Sequence, residues 1–252
     1  MAFAEPPGWY VISLRPQGGH QALRRAAAAQ GAGLIALSPW RIRQRSDDQA
    51  REALRLALTA SRVLFTSPAA VKAAAALLTL APTTDQEWIA VGSGTARALH
   101  RMRIDRVISP ARMDSEGLLA LATLQQIDGD RIGLVTAPDG RGVLSETLTQ
   151  RGAQLLRADV YEREAIQLSR TSLHKLAEME APAAVLLSSE GAFRQVLASA
   201  PTGILSMLRR LPVVAASVRL QEMAQREGFS DTLRAEGPLP AQLIAAVARR
   251  FR

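Results

Sequence analysis

The feature that most constrains the fold of this chain is an internal repeat. Segments of the first half recur in the second half at an offset of 121 or 122 residues: Val11–Gly19 resembles Leu134–Gly140, Gln30–Ala32 resembles Arg151–Ala153, and Phe65–Ser67 resembles Leu187–Ser189. A repeat of this length indicates that the chain builds the same kind of unit twice. The two series begin near Trp9 and Arg131.

Within each half, short apolar runs alternate with longer amphipathic segments. Runs such as Tyr10–Leu14 and Ala184–Leu187 have the length of buried strands, and segments such as Gly19–Gln30 and Pro240–Phe251 carry apolar residues at helical spacing. Alternating strands and crossover helices are typical of parallel sheets. The sequence therefore predicts an α/β protein with two similar domains, each a parallel sheet flanked by helices.

Two extended, polar-alternating segments occupy equivalent positions in the repeat, at 39–44 and 159–166. They are consistent with a two-stranded antiparallel linker or with two surface loops of a plain tandem. The first alternative lets the opening unit of each half pack with the remainder of the other half. It divides the chain into one discontinuous domain of residues 1–38 and 167–252 and a second domain of residues 45–158.

The composition excludes several function classes. The 252 residues are 48% hydrophobic and 21% charged, and no apolar run reaches the ~20 residues of a membrane span. The N-terminal residues do not resemble a signal peptide, so we expect a cytoplasmic protein. Cysteine is absent and the three histidines are scattered. Disulfides and thiolate metal sites are therefore excluded, and we expect no metal site.

The net charge of +8 and the sequence pI near 11.1 favour an anionic partner. The alternative is a solvated, arginine-rich surface without a specific ligand. Aromatic residues make up only 4% of the chain, and no helix-turn-helix or basic run is present. Stacking platforms for single-stranded nucleic acid need such aromatic residues, so we expect no nucleic-acid partner. A basic nucleic-acid-binding protein is an alternative function, for which binding would fall steeply with salt.

Polar and small residues follow most of the predicted strands. Ligands of open α/β sheets bind at these strand ends, where free backbone N–H groups and hydroxyls bind carboxylate or phosphate. The candidate binding residues are Arg15, Thr66, Ser67, Ser93, Gly94, Thr95, Ser115, Arg141, Ser188, Ser189 and Ser217. The alternative for each serine or threonine is an ordinary helix cap.

No conventional catalytic group accompanies these residues. Ser67, Ser93 and Ser189 have no adjacent general base, and the glycines near Ser93 lack the third member of a dinucleotide fingerprint. His20 follows a Gly-Gly turn, where we expect a capping or exposed side chain. His100 is expected on a helix surface.

Several of these motifs together carry a family resemblance. In chain order they are Phe65–Val71, Val91–Leu99, Ser115–Leu118, Thr136–Leu144, Arg151–Ala153 and Val160–Arg163. Their order and spacing resemble the uroporphyrinogen-III synthase family over nearly the whole chain. The chain departs from the family at Ala215–Val218, where a Gly- or Thr-rich turn is common, and near Ala69, where a larger polar or basic side chain is common.

The resemblance implies two α/β domains joined by a two-stranded linker. It also implies cyclisation of hydroxymethylbilane, a linear tetrapyrrole, to uroporphyrinogen III with inversion of the last ring, loss of water and no cofactor. Tyr161 matches a tyrosine of the family, and its phenol is protonated at neutral pH, so it is the predicted catalytic acid.

The expected assembly is a monomer without a membrane partner, and the enzyme that forms the bilane is a candidate partner. A two-domain small-anion binding or sensor protein without catalytic activity is the alternative function. It would share the anion site but would not invert the ring.

Overall fold

The computed structural model of the chain describes residues 7–112, 115–138 and 142–251. These residues form two compact units. Unit 1 contains the described residues up to Arg41 and those from Glu164 onward, and unit 2 spans Ile42–Arg163. The domain limits predicted from the sequence, 1–38 with 167–252 and 45–158, remain a prediction.

Unit 1 is an α/β layer structure. Its elements are β1 (Trp9–Ser13), α1 (Gln21–Ala28), β2 (Ala32–Ala36), α7 (Arg170–Ala177), β10 (Ala183–Leu187), α8 (Glu190–Ser199), α9 (Thr202–Leu208), β11 (Val213–Ala215), α10 (Val218–Arg226), β12 (Thr232–Arg234) and α11 (Pro240–Phe251). The sheet order is β12-β11-β10-β1-β2, and all its neighbouring strands are parallel. Every residue of β10 is buried, as expected for a parallel strand covered on both faces.

Unit 2 repeats this arrangement. Its elements are α2 (Asp48–Ala57), β4 (Arg62–Phe65), α3 (Pro68–Leu77), β5 (Glu87–Ala90), α4 (Ser93–Arg101), β6 (Val107–Ile108), α5 (Ser115–Leu119), a 3-10 turn (Ala122–Leu124), β7 (Arg131–Thr136), α6 (Gly142–Gln150) and β8 (Gln154–Asp159). The order is β6-β5-β4-β7-β8, again with parallel neighbours. Two apolar clusters lie on this sheet, one containing Trp88 and Phe65 and the other containing Leu64 and Ile132.

The linker is a two-stranded sheet of β3 (Trp40–Gln44) and β9 (Tyr161–Ala165). The Arg45 N–H donates to the Val160 carbonyl at 3.0 Å, and the Ile166 N–H donates to the Pro39 carbonyl at 3.1 Å, so the strands run antiparallel. Exposed ion pairs cross the strands and contribute little stability, because exposed pairs are well solvated. The predicted fold class, with its two-stranded linker, is confirmed.

The repeated glycines have a backbone reason. Gly31 follows α1 with φ +69°, and Gly152 follows α6 with φ +86°. This left-handed conformation is costly for residues with a Cβ and closes a helix before the chain enters the next strand. The recurring Gly-Ala pair therefore marks the helix-to-strand turn of each unit.

No helix in the described part of the chain is long and apolar enough to cross a membrane. Among the same residues, no cluster of three or more histidine, aspartate and glutamate side chains could hold a metal ion.

Each sheet takes strands from both halves of the sequence, so we expect a cut near residue 126 to prevent folding of either half. Fragments 1–126 and 127–252 should show no cooperative thermal unfolding by circular dichroism. Residues 42–163 expressed alone, which keep the complete β6-β5-β4-β7-β8 sheet, should unfold cooperatively and are the matched control. Two halves that each unfold cooperatively would favour a plain tandem and refute the exchanged arrangement.

Candidate functional site

The predicted binding residues gather at one edge of each sheet, because the carboxyl ends of parallel strands meet there. At the unit 1 edge lie Arg15, Ser188, Ser189 and Ser217; at the unit 2 edge lie Thr66, Ser67, Ser93, Gly94 and Thr95. Ser115 is the first residue of α5. Arg141 lies outside the described residues.

Three of these serines are helix N-caps. Ser67 accepts from the Ala70 N–H at 3.0 Å, and Ser189 and Ser217 accept from the N–H groups three residues onward, each at 3.4 Å. The helix-capping role predicted as the alternative for these serines is thus confirmed at all three positions. A hydroxyl that accepts a backbone N–H still has its own proton, so capping leaves each serine able to donate to a ligand.

Ser67 also contacts the predicted catalytic acid. Its Oγ lies 3.0 Å from the Tyr161 hydroxyl, and either oxygen can be the donor. The Tyr161 ring is only 3% exposed and packs in the core cluster of unit 2, whereas Ser67 is half-buried. The structure therefore joins the first residue of β9 to the N-cap of α3 through a pair of hydroxyls.

The threonines of unit 2 are more enclosed. Thr66 donates to the Thr136 hydroxyl at 2.9 Å, which ties the end of β4 to the end of β7. Thr95 is 4% exposed, so its hydroxyl is less accessible to a ligand than that of Ser67. A Cβ added to Gly94 would lie in ordinary contact with the Pro68 ring, so this glycine is not required by close packing.

Arg15 is a half-buried cation in the loop that follows β1. Within residues 7–112, 115–138 and 142–251, no carboxylate pairs with its guanidinium. Burial lowers the pKa of this guanidinium below its ordinary value. A partly desolvated guanidinium favours an anionic ligand, since a carboxylate would replace the lost hydration with charge-assisted hydrogen bonds. Arg15 is therefore the strongest anion-binding candidate of unit 1.

His20 differs from its sequence-based expectation. The side chain neither caps α1 nor points to solvent: it is 7% exposed, with Nδ1 2.9 Å from the Ser13 Oγ and Nε2 2.7 Å from the Ser38 Oγ. Burial, and then the charges of Arg24 and Arg15, lower the pKa of His20 from 6.5 to about 4. The imidazole is consequently neutral at neutral pH. By contrast, His100 is exposed, as predicted.

The buried imidazole makes stability depend on pH in a defined direction. Between pH 6.5 and about 4 the unfolded chain protonates His20 and the folded chain does not, so the free energy of unfolding falls as the pH falls through this window. Below about pH 4 both states are protonated, and this contribution is lost in full. His20→Gln removes the titration.

We expect the unfolding free energy of the wild type relative to His20→Gln to fall by about 2 kcal/mol between about pH 7.5 and about pH 5. Urea denaturation of both proteins at the two pH values measures it. A difference that does not change with pH would show that His20 titrates with an ordinary pKa.

Comparison with known proteins identifies relatives of this chain. The sequence model of the family described as uroporphyrinogen-III synthase HemD matches residues 21–245. The uroporphyrinogen-III synthase of Escherichia coli K12 is 29% identical over 147 residues, which cover 58% of this chain and 60% of that protein. The enzyme of Salmonella typhimurium LT2 is 40% identical over 83 residues, or 30% of this chain and 31% of that protein. The matches thus span less than two thirds of the length of these curated relatives.

Solved structures extend the likeness to nearly the full chain. The uroporphyrinogen-III synthetase of Helicobacter pylori 26695 aligns with a TM-score of 0.62 and 13% identity over 96% of this chain and 99% of that one. A mutant uroporphyrinogen III synthase of Thermus thermophilus aligns with a TM-score of 0.61, 16% identity and the same coverage. At such identities the likeness shows the fold. Since the family's sequence model spans most of its length, the chain belongs to the uroporphyrinogen-III synthase family.

Proposed function

We propose that this protein converts hydroxymethylbilane to uroporphyrinogen III, with inversion of the last ring and loss of water. Family membership supports the reaction class. The observation that carries the proposal is the pair of hydroxyls of Ser67 and Tyr161, 3.0 Å apart at the carboxyl edge of a parallel sheet. Its position supports a role as proton donor, since α/β sheets bind their ligands at this edge.

The charge of the protein suits this substrate. The bilane carries eight carboxylates, and the protein has a net charge of +8, which raises the local concentration of such an anion. In unit 1 the Arg15 guanidinium and the N-termini of α8 and α10 are the groups that bind carboxylates. In unit 2 the N-terminus of α3 has the same character, since free N–H groups and the helix dipole favour negative charge.

The chemistry requires little from the protein beyond positioning and one proton. The hydroxyl of the first ring leaves as water, which produces a delocalised cation. The last ring attacks this cation through its already substituted carbon and gives a spiro intermediate, which fragments and rejoins in the inverted orientation. Loss of a proton from the joined ring then restores the neutral pyrrole and balances the proton given to the departing water. Because the pyrrole is itself the nucleophile, holding the chain in the folded geometry that favours the spiro route supplies most of the selectivity.

The hydroxyl pair can supply the proton for the departing water. The Ser67 oxygen already accepts from the Ala70 N–H, so its bond to Tyr161 leaves one proton of the pair for a ligand, whichever oxygen donates within the pair. Tyr161 is the proposed acid, and Ser67 is the more accessible partner that fixes the direction of its hydroxyl. Proton donation to a leaving group contributes typically 10²–10⁴-fold in rate.

A small-anion binding protein remains the second candidate, because the partly desolvated Arg15 would serve it equally well. The two functions differ in their product. A binding protein leaves the bilane to cyclise without inversion, whereas the proposed enzyme redirects it.

We expect the purified chain, in the presence of a chelator and without an added cofactor, to form the type III isomer from hydroxymethylbilane. The bilane is generated in the assay by a bilane-forming enzyme, and the isomers are separated chromatographically. A reaction without the protein is the control. Accumulation of type I alone with folded protein would reject the proposed function.

Tyr161→Phe removes the phenol while keeping the packed ring, so we expect type III formation to slow by at least about tenfold. The lost hydrogen bond to Ser67 should cost about 1 kcal/mol of stability. Tyr10→Phe, which alters the one other tyrosine of the chain, is the matched control and should leave the rate unchanged. Unaltered turnover of Tyr161→Phe would remove this residue from the chemistry.

A further inference from the structure

His20 connects the carboxyl ends of two neighbouring strands of unit 1. Ser13 is the last residue of β1, Ser38 follows β2, and the two ring nitrogens of His20 each contact one of these hydroxyls. Ser13 is completely buried, and Ser38 is half-buried. The imidazole therefore anchors the chain at the point where the loop after β1 enters α1.

Arg15 lies in the loop that this anchor closes. The Gly19 N–H donates to the Pro16 carbonyl at 2.8 Å, which forms a tight turn, and the Gln17 N–H donates to the Trp40 carbonyl at 2.9 Å. The loop is thus held at Ser13, at Gln17 through its bond to Trp40, and at His20. These contacts fix the backbone position from which the Arg15 side chain extends.

The nearby charges also limit which kind of side chain is suitable at position 20. A neutral imidazole has one donor and one acceptor nitrogen, so it satisfies both serines if one donates and the other accepts. A cation there would be repelled by Arg15 and Arg24, the charges that act on His20. A carboxylate there would attract the same guanidinium groups and so compete with an anionic ligand.

We propose that His20 is a positioning residue that holds the Arg15 guanidinium in place for a carboxylate of the substrate. This inference rests on the proposed function and deepens it, because it assigns the neutral histidine a role in substrate affinity. His20 does not touch the reacting atoms in this proposal. Its removal should weaken binding and leave the chemical step intact.

Kinetics of type III formation test the inference. His20→Leu fills the space but leaves both serine hydroxyls without their partner. We expect the KM of this variant for hydroxymethylbilane to rise about tenfold, which is the equivalent of one charge-assisted hydrogen bond. Its kcat should be unchanged. His20→Gln retains a donor and an acceptor and should restore most of the wild-type KM. An unchanged KM in His20→Leu, or an equal defect in both variants, would overturn the positioning role.

A double-mutant cycle asks whether His20 acts through Arg15. Arg15→Gln should raise KM by itself, and His20→Leu in that background should add about twofold or less, because the guanidinium that it positions is gone. Fully additive effects would mean that His20 acts independently of Arg15. If His20→Leu does not fold, Ser38→Ala serves in its place: it removes the outer hydrogen bond, keeps the Ser13 contact and should raise KM about threefold.

A measurement without turnover separates this inference from the proposed function. ¹⁵N relaxation of the Arg15 Nε–H should report a rigid side chain in the wild type and a mobile one in His20→Leu, whether or not the protein forms type III product. Equal mobility in both proteins would refute the positioning role. Absence of type III product from the wild type would instead reject the function alone.

Discussion

The exchange of strands between the two halves of the sequence is the constraint on which the rest of the structure depends. β1 pairs with β2 from its own half and with β10 from the other, and β7 likewise pairs with β4 and β8. Neither half can complete its central strand pairing alone. The chain must therefore pass between the units twice. The strands β3 and β9 are these two connections, and they pair with each other.

Parallel pairing also explains why the candidate site consists of loops rather than of a catalytic cluster. All strands of a sheet deliver their carboxyl ends to one edge, so each following helix begins there and presents N–H groups. Serines at these positions accept a hydrogen bond from a free N–H group of the helix, as Ser67 does from Ala70. Each serine keeps its own proton for a ligand. The same residues thus stabilise the fold and form the proposed binding surface, which suits a substrate with many carboxylates and a reaction that depends mainly on positioning.

The sequence predicts those features of the fold that depend on a local pattern of residues. Burial on both faces makes a parallel strand a short apolar run, so the strands and the two-sheet fold could be identified, and the helix-closing glycines made the repeat visible. Helix ends do not follow from this pattern: the apolar spacing predicts a helix over Gly19–Gln30, whereas α1 spans Gln21–Ala28, because the turn at Gly19 delays its start. Contacts between distant residues were not predictable. The Ser67–Tyr161 bond joins positions 94 residues apart, and His20 gave no local sign that two strand-end serines would bury it.

The central claim is that the protein directs the bilane to the inverted isomer by holding it, with a single proton supplied by a hydroxyl pair. The ratio of type III to type I uroporphyrinogen in a single turnover, with the protein in excess over hydroxymethylbilane, tests this claim most directly. Every bilane is then bound before it can close spontaneously, so the account predicts almost entirely type III product. A ratio equal to that of the protein-free reaction would contradict it.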